Sequence, residues 1–372
     1  MQHDSLLNYI LGMAVYYAIF LLLTGLILAK IAKYIDDKFI LIIAGCLLFC
    51  IAAFRMPGVD KDSLAYITSF NFFKDPINYF TNHDDWFFFE PFYYLIPSTT
   101  RFLFGEPVYV QLTFAIFAGV ALLFTFKGIY KLSSFPELSI LQFFCYYFLL
   151  LEMTQIRAGV VCGLFLLAIY FHFKKNYTGF IITVLTGLLF HYTAVLMLVL
   201  LLLNTEKFNL RLYLIVGLVS VVIAFVSSDF IIASIFKLNF SFVQKMALEF
   251  ASINTSENKI NLFNVAFLMN VSFTAWLFIH HKKIQEKNTY TYILLKVQAI
   301  GILAFILLSP VSVIAFRVSE FLGIVNIITI PLIVYTFRSR LVGYTVIFGY
   351  SFILLLLNLQ YAELLKPYKL AF

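Results

Sequence analysis

The feature that most constrains this chain is a train of strongly apolar stretches recurring from Leu11 to Leu357, with no polar block between them long enough to fold alone. A water-soluble fold has to hide its apolar side chains, and here 62% of residues are hydrophobic and only 12% are charged. Soluble domains carry roughly 45–50% apolar and about 25% charged residues. The chain therefore reads as an all-α polytopic membrane protein, a single integral domain over residues 1–372.

The first stretch, Leu11 to Leu28, is preceded by His3 and Asp4 and followed by Lys30, Lys33 and Lys38. That is the wrong flank for a signal peptide, and no small-residue cleavage site stands out, so it reads as a retained first span. Cys46, Cys50, Cys145 and Cys162 all fall inside apolar stretches, where a thiol behaves as a small buried hydrophobe rather than as a disulfide partner or metal ligand. The net charge of +7 does not point to nucleic acid, because the basic residues sit in short loops between apolar stretches, as a topology signal does.

A span needs about 20 apolar residues, and fewer where it lines a protein cavity. Spans are expected near 10–29, 39–54, 107–126, 138–153, 157–171, 177–190, 191–203, 212–228, 263–279, 291–308, 317–337 and 341–358, about twelve in all and several of them short. With the amino terminus outside, the inner loops 30–38, 127–137, 172–176, 204–211, 280–290 and 338–340 hold 14 of the 26 Lys and Arg. The positive-inside rule supports that orientation. The same parity makes Trp86 to Gly105 an outer re-entrant or interfacial segment, and folds Tyr177 to Leu203 into a hairpin of two short helices with His191 at its outer turn. Two larger outer loops result, residues 55–106 and 229–262.

Charges beside the hydrocarbon cost about 2.5 to 3.5 kcal/mol each on insertion scales, so those at span ends are functional candidates. In this orientation Arg55, Asp60, Asp62, Glu90, Arg101, Glu152, Arg157, His191, Arg317 and Glu320 all reach the outer face. Arg55, Arg157 and Arg317 come from distant parts of the chain, and guanidinium forks match phosphate oxygens. Converging, they would hold a diphosphate. The competing reading is that each snorkels to headgroups or pairs with an acid such as Glu152 or Glu320. His191 has the chemistry of a general base or of a structural turn histidine. Asp60-Lys61-Asp62, with His83, Asp84, Asp85 and Glu90, offers only a loose metal-ligand pattern, and solvated loop acids are the commoner explanation. The triplet Asn254-Thr255-Ser256 carries no weight. No phosphate-binding glycine loop, dinucleotide fingerprint or serine elbow is present, which argues against ATP-driven work.

Several pieces together resemble the bacterial O-antigen and exopolysaccharide polymerases of the Wzy and EpsG type. They are Phe54-Arg55, Gly58, Asp60 or Asp62 with Tyr66 and Phe70, Glu90-Pro91-Phe92-Tyr93 and Gln155-Ile156-Arg157-Ala158-Gly159. Phe190-His191-Tyr192-Thr193-Ala194, Phe316-Arg317-Val318-Ser319-Glu320-Phe321 and Pro367-Tyr368-Lys369 complete the series. The acid-to-tyrosine spacing fits better from Asp62 than from Asp60. The resemblance implies a GT-C-like glycosyltransferase of the bacterial inner membrane that joins undecaprenyl-diphosphate-linked oligosaccharide units at the periplasmic face, with no cofactor or nucleotide sugar. A chain-length regulator and a flippase are the further partners it suggests. Arg55, Arg157 and Arg317, with Tyr66, Gln155 and Glu320, would then bind the diphosphate-linked substrate. His191 or a carboxylate among Asp60, Asp62 and Glu90 would activate the acceptor hydroxyl. A glycan ligase and a lipid-linked oligosaccharide flippase are the rival readings.

Overall fold

A computed structural model describes residues 2–73, 75–81, 89–226 and 260–371, with side chains from residue 9 on and not for 224–226. The fold is helical, and the described residues form isolated bridges but no named strand. The outer-loop residues His83, Asp84, Asp85 and Trp86, most of the 229–262 loop and its Asn254-Thr255-Ser256 triplet lie outside the described residues.

Over its described residues, each of the twelve expected segments falls on helix. Among the described residues four helices are long and apolar enough to cross a membrane: Tyr9–Ile31, Val108–Leu132, Ile156–Phe173 and Arg340–Tyr361. The expected span 317–337 is instead a pair, Ser312–Gly323 and Asn326–Thr336, bent by 40° at the break, and counting it as one crossing gives five. The remaining apolar helices are shorter. Helix boundaries follow local chemistry. Asp36 caps Asp37–Ala53 by accepting from Phe39 N at 2.8 Å. Pro91 and Pro136 each stand at the first position of a helix, where a missing N–H costs nothing.

The chain divides into two compact units, residues 1–202 with 334–372, and residues 203–333. At the centre of the first, Val108–Leu132 packs on Ile156–Phe173. A Cβ on Gly163 would lie 2.8 Å from Thr125 N, and one on Gly128 would lie 2.5 Å from Leu166 Cβ. Lipid tails supply no hydrophobic drive between helices, so close backbone approach at small residues has to hold such a pair. The 177–203 stretch is a chain reversal, as expected. A Cβ on Gly187 would stand 2.8 Å from Ala194 Cβ, whereas seven residues along a straight helix span about 10 Å.

The first unit gathers its polar residues at two ends. At one end Lys30 pairs with Asp37 and with Glu137 (2.5 Å), and the Tyr344 hydroxyl donates to Glu137 at 2.6 Å. This joins the end of the first helix to the starts of 37–53, 136–142 and 340–356. At the other end, the carboxyl-terminal segment lies antiparallel to the chain that leaves 37–53. Met56 N donates to Lys369 O (2.8 Å), Lys366 N to Val59 O (2.7 Å) and Ala371 N to Phe54 O (3.0 Å). Tyr16 fastens this strap from the first helix, its hydroxyl donating to Lys366 O at 3.0 Å.

In the second unit, Lys296 on Thr291–Leu307 is buried and donates to the Asn204 carbonyl. Gln298 on the same helix donates to Thr274 Oγ1 at 2.7 Å. Cys145 and Cys162 are buried, but Cys46 and Cys50 face outward from the protein, which corrects the expectation for that pair. Both sit on an apolar helix, where a thiol that faces lipid is no more costly than one in a core.

Candidate functional site

The strap end of the first unit carries two charged clusters built on neighbouring helix ends. The first forms where Asp37–Ala53 stops. Phe54 closes the helix and Gly58, with φ of +90°, turns the chain back, a conformation that a side chain resists. This reversal brings Arg55 and Asp60 together. Arg55 Nε donates to Asp60 Oδ2 at 3.0 Å, both side chains are fully buried, and Nη1 donates to the Ala52 carbonyl. The guanidinium lies 4.7 Å from the centre of the Phe114 ring. Asp60 Oδ1 accepts from Asp62 N (3.0 Å) and Ser63 N (2.7 Å) at the start of Ser63–Phe72. Both oxygens of Asp60 are thus engaged by protein donors, as in a helix cap with a counter-ion. Asp62 sits at the N-cap position of the same helix, half-buried, and its charge is felt by Tyr66.

The second cluster centres on Glu90. Pro91 starts the helix Pro91–Phe104 and leaves Glu90 extended just before it, its side chain reaching away from the helix backbone. Glu90 Oε2 accepts from Arg157 Nη1 at 2.6 Å, and Oε1 lies 2.6 Å from His191 Nδ1. Arg157 comes from the first turn of Ile156–Phe173, and His191 from the C-cap of Tyr177–Phe190. One buried carboxylate therefore bridges three elements. Burial alone pushes the Glu90 carboxyl up, but the hydrogen bond from His191 and the charge of Arg157 outweigh it and bring it down to about 2. Arg157 is stacked over Tyr93, 4.0 Å from the ring centre, with Tyr66 at 5.9 Å. Burial pushes the hydroxyls of Tyr66 and Tyr93 up, against the pull of Arg157, so both stay protonated donors.

An aromatic cluster lies between the two arginines. Phe70 touches Phe114 beneath Arg55 and Tyr93 beneath Arg157, at ring distances of 6.3 Å and 5.8 Å. Each guanidinium keeps one buried nitrogen without a protein partner, Arg55 Nη2 and Arg157 Nε. Glu152, which ends a stretch of π-helical winding over Phe143–Glu152, is 1% exposed. Its Oε1 is likewise unpartnered.

Arg55, Asp60, Asp62, Tyr66, Glu90, Gln155, Arg157 and His191 all belong to the first unit. Gln155 stands at the N-cap of Ile156–Phe173, and its backbone N–H donates to Leu150 O at 2.8 Å, closing the break between the two helical segments. Arg317, exposed, and Glu320, half-buried, lie on Ser312–Gly323 in the second unit. Arg101 is apart from both clusters, 3.6 Å from Glu106. Among the described residues no three His, Cys, Asp or Glu side chains gather as a metal group.

Sequence reasoning offered Glu90 as an acid beside the others and missed that it joins Arg157 to His191. It also missed Tyr93 as the platform for Arg157. The signal was Glu90-Pro91, since a proline at a helix start leaves the preceding residue extended and the third residue of the helix one turn behind it. No match appears among curated proteins or among solved structures. The EpsG family model matches residues 38–370, spanning both charged clusters and the carboxyl-terminal strap. The chain belongs to the EpsG family.

Proposed function

We propose that this chain is a membrane glycosyltransferase that polymerises undecaprenyl-diphosphate-linked oligosaccharide units into an O-antigen, capsule or exopolysaccharide. The observation that carries the reading is the Arg157–Glu90–His191 chain, which sets a phosphate-binding fork and a titratable base on one carboxylate. Membership of the EpsG family supports it.

The topology that suits the reaction is the twelve-span arrangement, GT-C-like, with the strap end at the periplasmic face of the bacterial inner membrane. Two facts support it. The residues of loops 30–38 and 127–137 meet at the end of the unit opposite Arg55 and Glu90, and the predicted inner loops hold 14 of the 26 basic residues.

In the proposed step the acceptor hydroxyl gives its proton to His191 Nε2 while its oxygen bonds to C1 of the donor sugar. The C1–O bond to the lipid diphosphate breaks, and the electron pair leaves with the diphosphate. Arg157 stabilises the charge that develops there. His191 is favoured over Asp60 because both Asp60 oxygens are already held, and over Glu90 because a carboxyl near 2 is a weak base. Glu90 orients the imidazole, and Tyr66 and Gln155 line the approach. A chain-length regulator and a flippase would work beside it.

A transporter reading has one observation in its favour, the 40° break between Ser312–Gly323 and Asn326–Thr336, since broken helices often carry transport sites. Deletion of the gene in its host, with surface glycan run on a gel, separates the readings. Collapse of the ladder to single repeat units, restored by the wild-type gene but not by Arg157→Ala or Arg317→Ala, is the polymerase outcome. Loss of all surface glycan, single units included, would point to transport or ligation.

A further inference from the structure

We infer that Glu90 is a built-in stand-in for the donor phosphate, and that donor binding, by displacing it from Arg157, is what arms His191 for the acceptor. The inference rests on the diphosphate reading and goes beyond it by specifying an order of events.

Glu90 presents one oxygen to Arg157 and the other to His191, each at 2.6 Å. The guanidinium is stacked on Tyr93 at 4.0 Å, which holds its plane. Glu90 engages Arg157 through Nη1 alone, so the carboxylate does not make a two-pronged pair with the guanidinium. An incoming phosphate offers more charge and more oxygens than one carboxylate, and can take Nη1 together with Nη2 in a bidentate pair, which displaces Glu90 from Nη1. Glu90 then keeps only His191. Its negative charge, previously divided between a permanent cation and an imidazole, now acts on the imidazole alone. With the proton on Nδ1 facing Glu90, the base is Nε2, and an unshared carboxylate on Nδ1 raises its basicity. The proton taken from the acceptor hydroxyl ends on Nε2, and Glu90 stabilises the imidazolium.

Two consequences distinguish this arrangement from a static ion pair. In the resting state Arg157 is already neutralised by Glu90, and Glu90 is shared between Arg157 and His191. The order of binding is donor diphosphate first, acceptor second.

The test uses purified full-length protein in nanodiscs, with inorganic pyrophosphate and a short polyprenyl diphosphate as probes. Glu90→Gln is expected to bind both probes at least about 10-fold more tightly, because the competitor for Arg157 loses its charge, while turnover of lipid-linked donor falls by about 10²-fold or more. His191→Gln, which leaves the Glu90–Arg157 contact in place, is expected to keep wild-type probe affinity and lose turnover. Unchanged or weaker probe binding by a folded Glu90→Gln overturns the inference. Should that variant not fold, ¹⁵N NMR of His191 in the wild type decides. Pyrophosphate is expected to shift Nε2 towards the protonated form at constant pH, and a saturating probe that leaves the signal unmoved sinks the idea. Failure of the parent reading looks different, since Arg157→Ala would then bind probe like wild type.

Discussion

At the residue scale, the charges of the two clusters are held by each other, Arg55 by Asp60 and Arg157 by Glu90. Replacing Arg157 removes a preorganised donor from the place where the leaving group's charge develops. Arg157→Ala is therefore expected to lower polymerisation at least about 10²-fold in a lipid-linked donor assay. Arg157→Lys should recover only part of this, because an ammonium keeps the charge but loses the planar fork. Asp60→Asn is expected to act on stability rather than on chemistry. It strips the counter-ion from the fully buried Arg55, a loss of about 3–5 kcal/mol for pairs of that kind, read as a fall in thermal midpoint and in yield. Glu90 predicts an acid-sensitive window. Its folded value near 2 lies below the ordinary 4.5, so the stabilisation it contributes is complete above 4.5 and is lost as pH falls from there towards 2. Thermal unfolding followed between pH 5 and 2.5 should show that loss in the wild type and a flatter profile in Glu90→Gln.

At the element scale, the carboxyl-terminal strap explains why Pro367-Tyr368-Lys369 accompanies the arginine motif at the far end of the chain. Backbone bonds from Met56, Lys366 and Ala371 tie the strap to the loop that presents Arg55 and Asp60, and the Tyr368 hydroxyl donates to Ile51 O at 3.2 Å. Pro367 fits because Gly12 leaves it room, a Cβ there falling 2.6 Å from Pro367 Cβ. Gly12→Val is expected to dislodge the strap without touching either charged cluster directly. Activity should fall, and limited proteolysis should release the carboxyl terminus sooner than in the wild type. The helix pair 108–132 and 156–173 makes the complementary case. Gly163→Val forces a side chain into Thr125 backbone, and as Arg157 rides on the same helix, lost folding and lost activity should appear together.

At the scale of the whole molecule, alternation of helix ends can be read within the first unit without any membrane. Single cysteines placed at Lys175 and at Lys366 in a background lacking Cys46, Cys50, Cys145 and Cys162 should label from opposite sides, Lys366 from outside. Labelling from the same side would overturn the twelve-span assignment. The sequence by itself determined the solvent. Its apolar runs admit only a membrane helix protein, and the basic loops and scattered polar residues already pointed to one face, because a charge in hydrocarbon is too costly to place casually. The hairpin at His191 followed from the same parity, and the reversal at Gly187 and Ala194 has that form. What only the tertiary structure decided is which charges meet. Arg55 finds Asp60 five residues away, a pairing set by the left-handed Gly58, while Arg157 finds Glu90 and His191 across 67 and 101 residues. Local patterns can reveal that a charge needs a partner, but the partner is chosen by helix packing. The absence of a side chain at Gly128 and Gly163 sets how closely those helices approach, and so where each helix end delivers its charge.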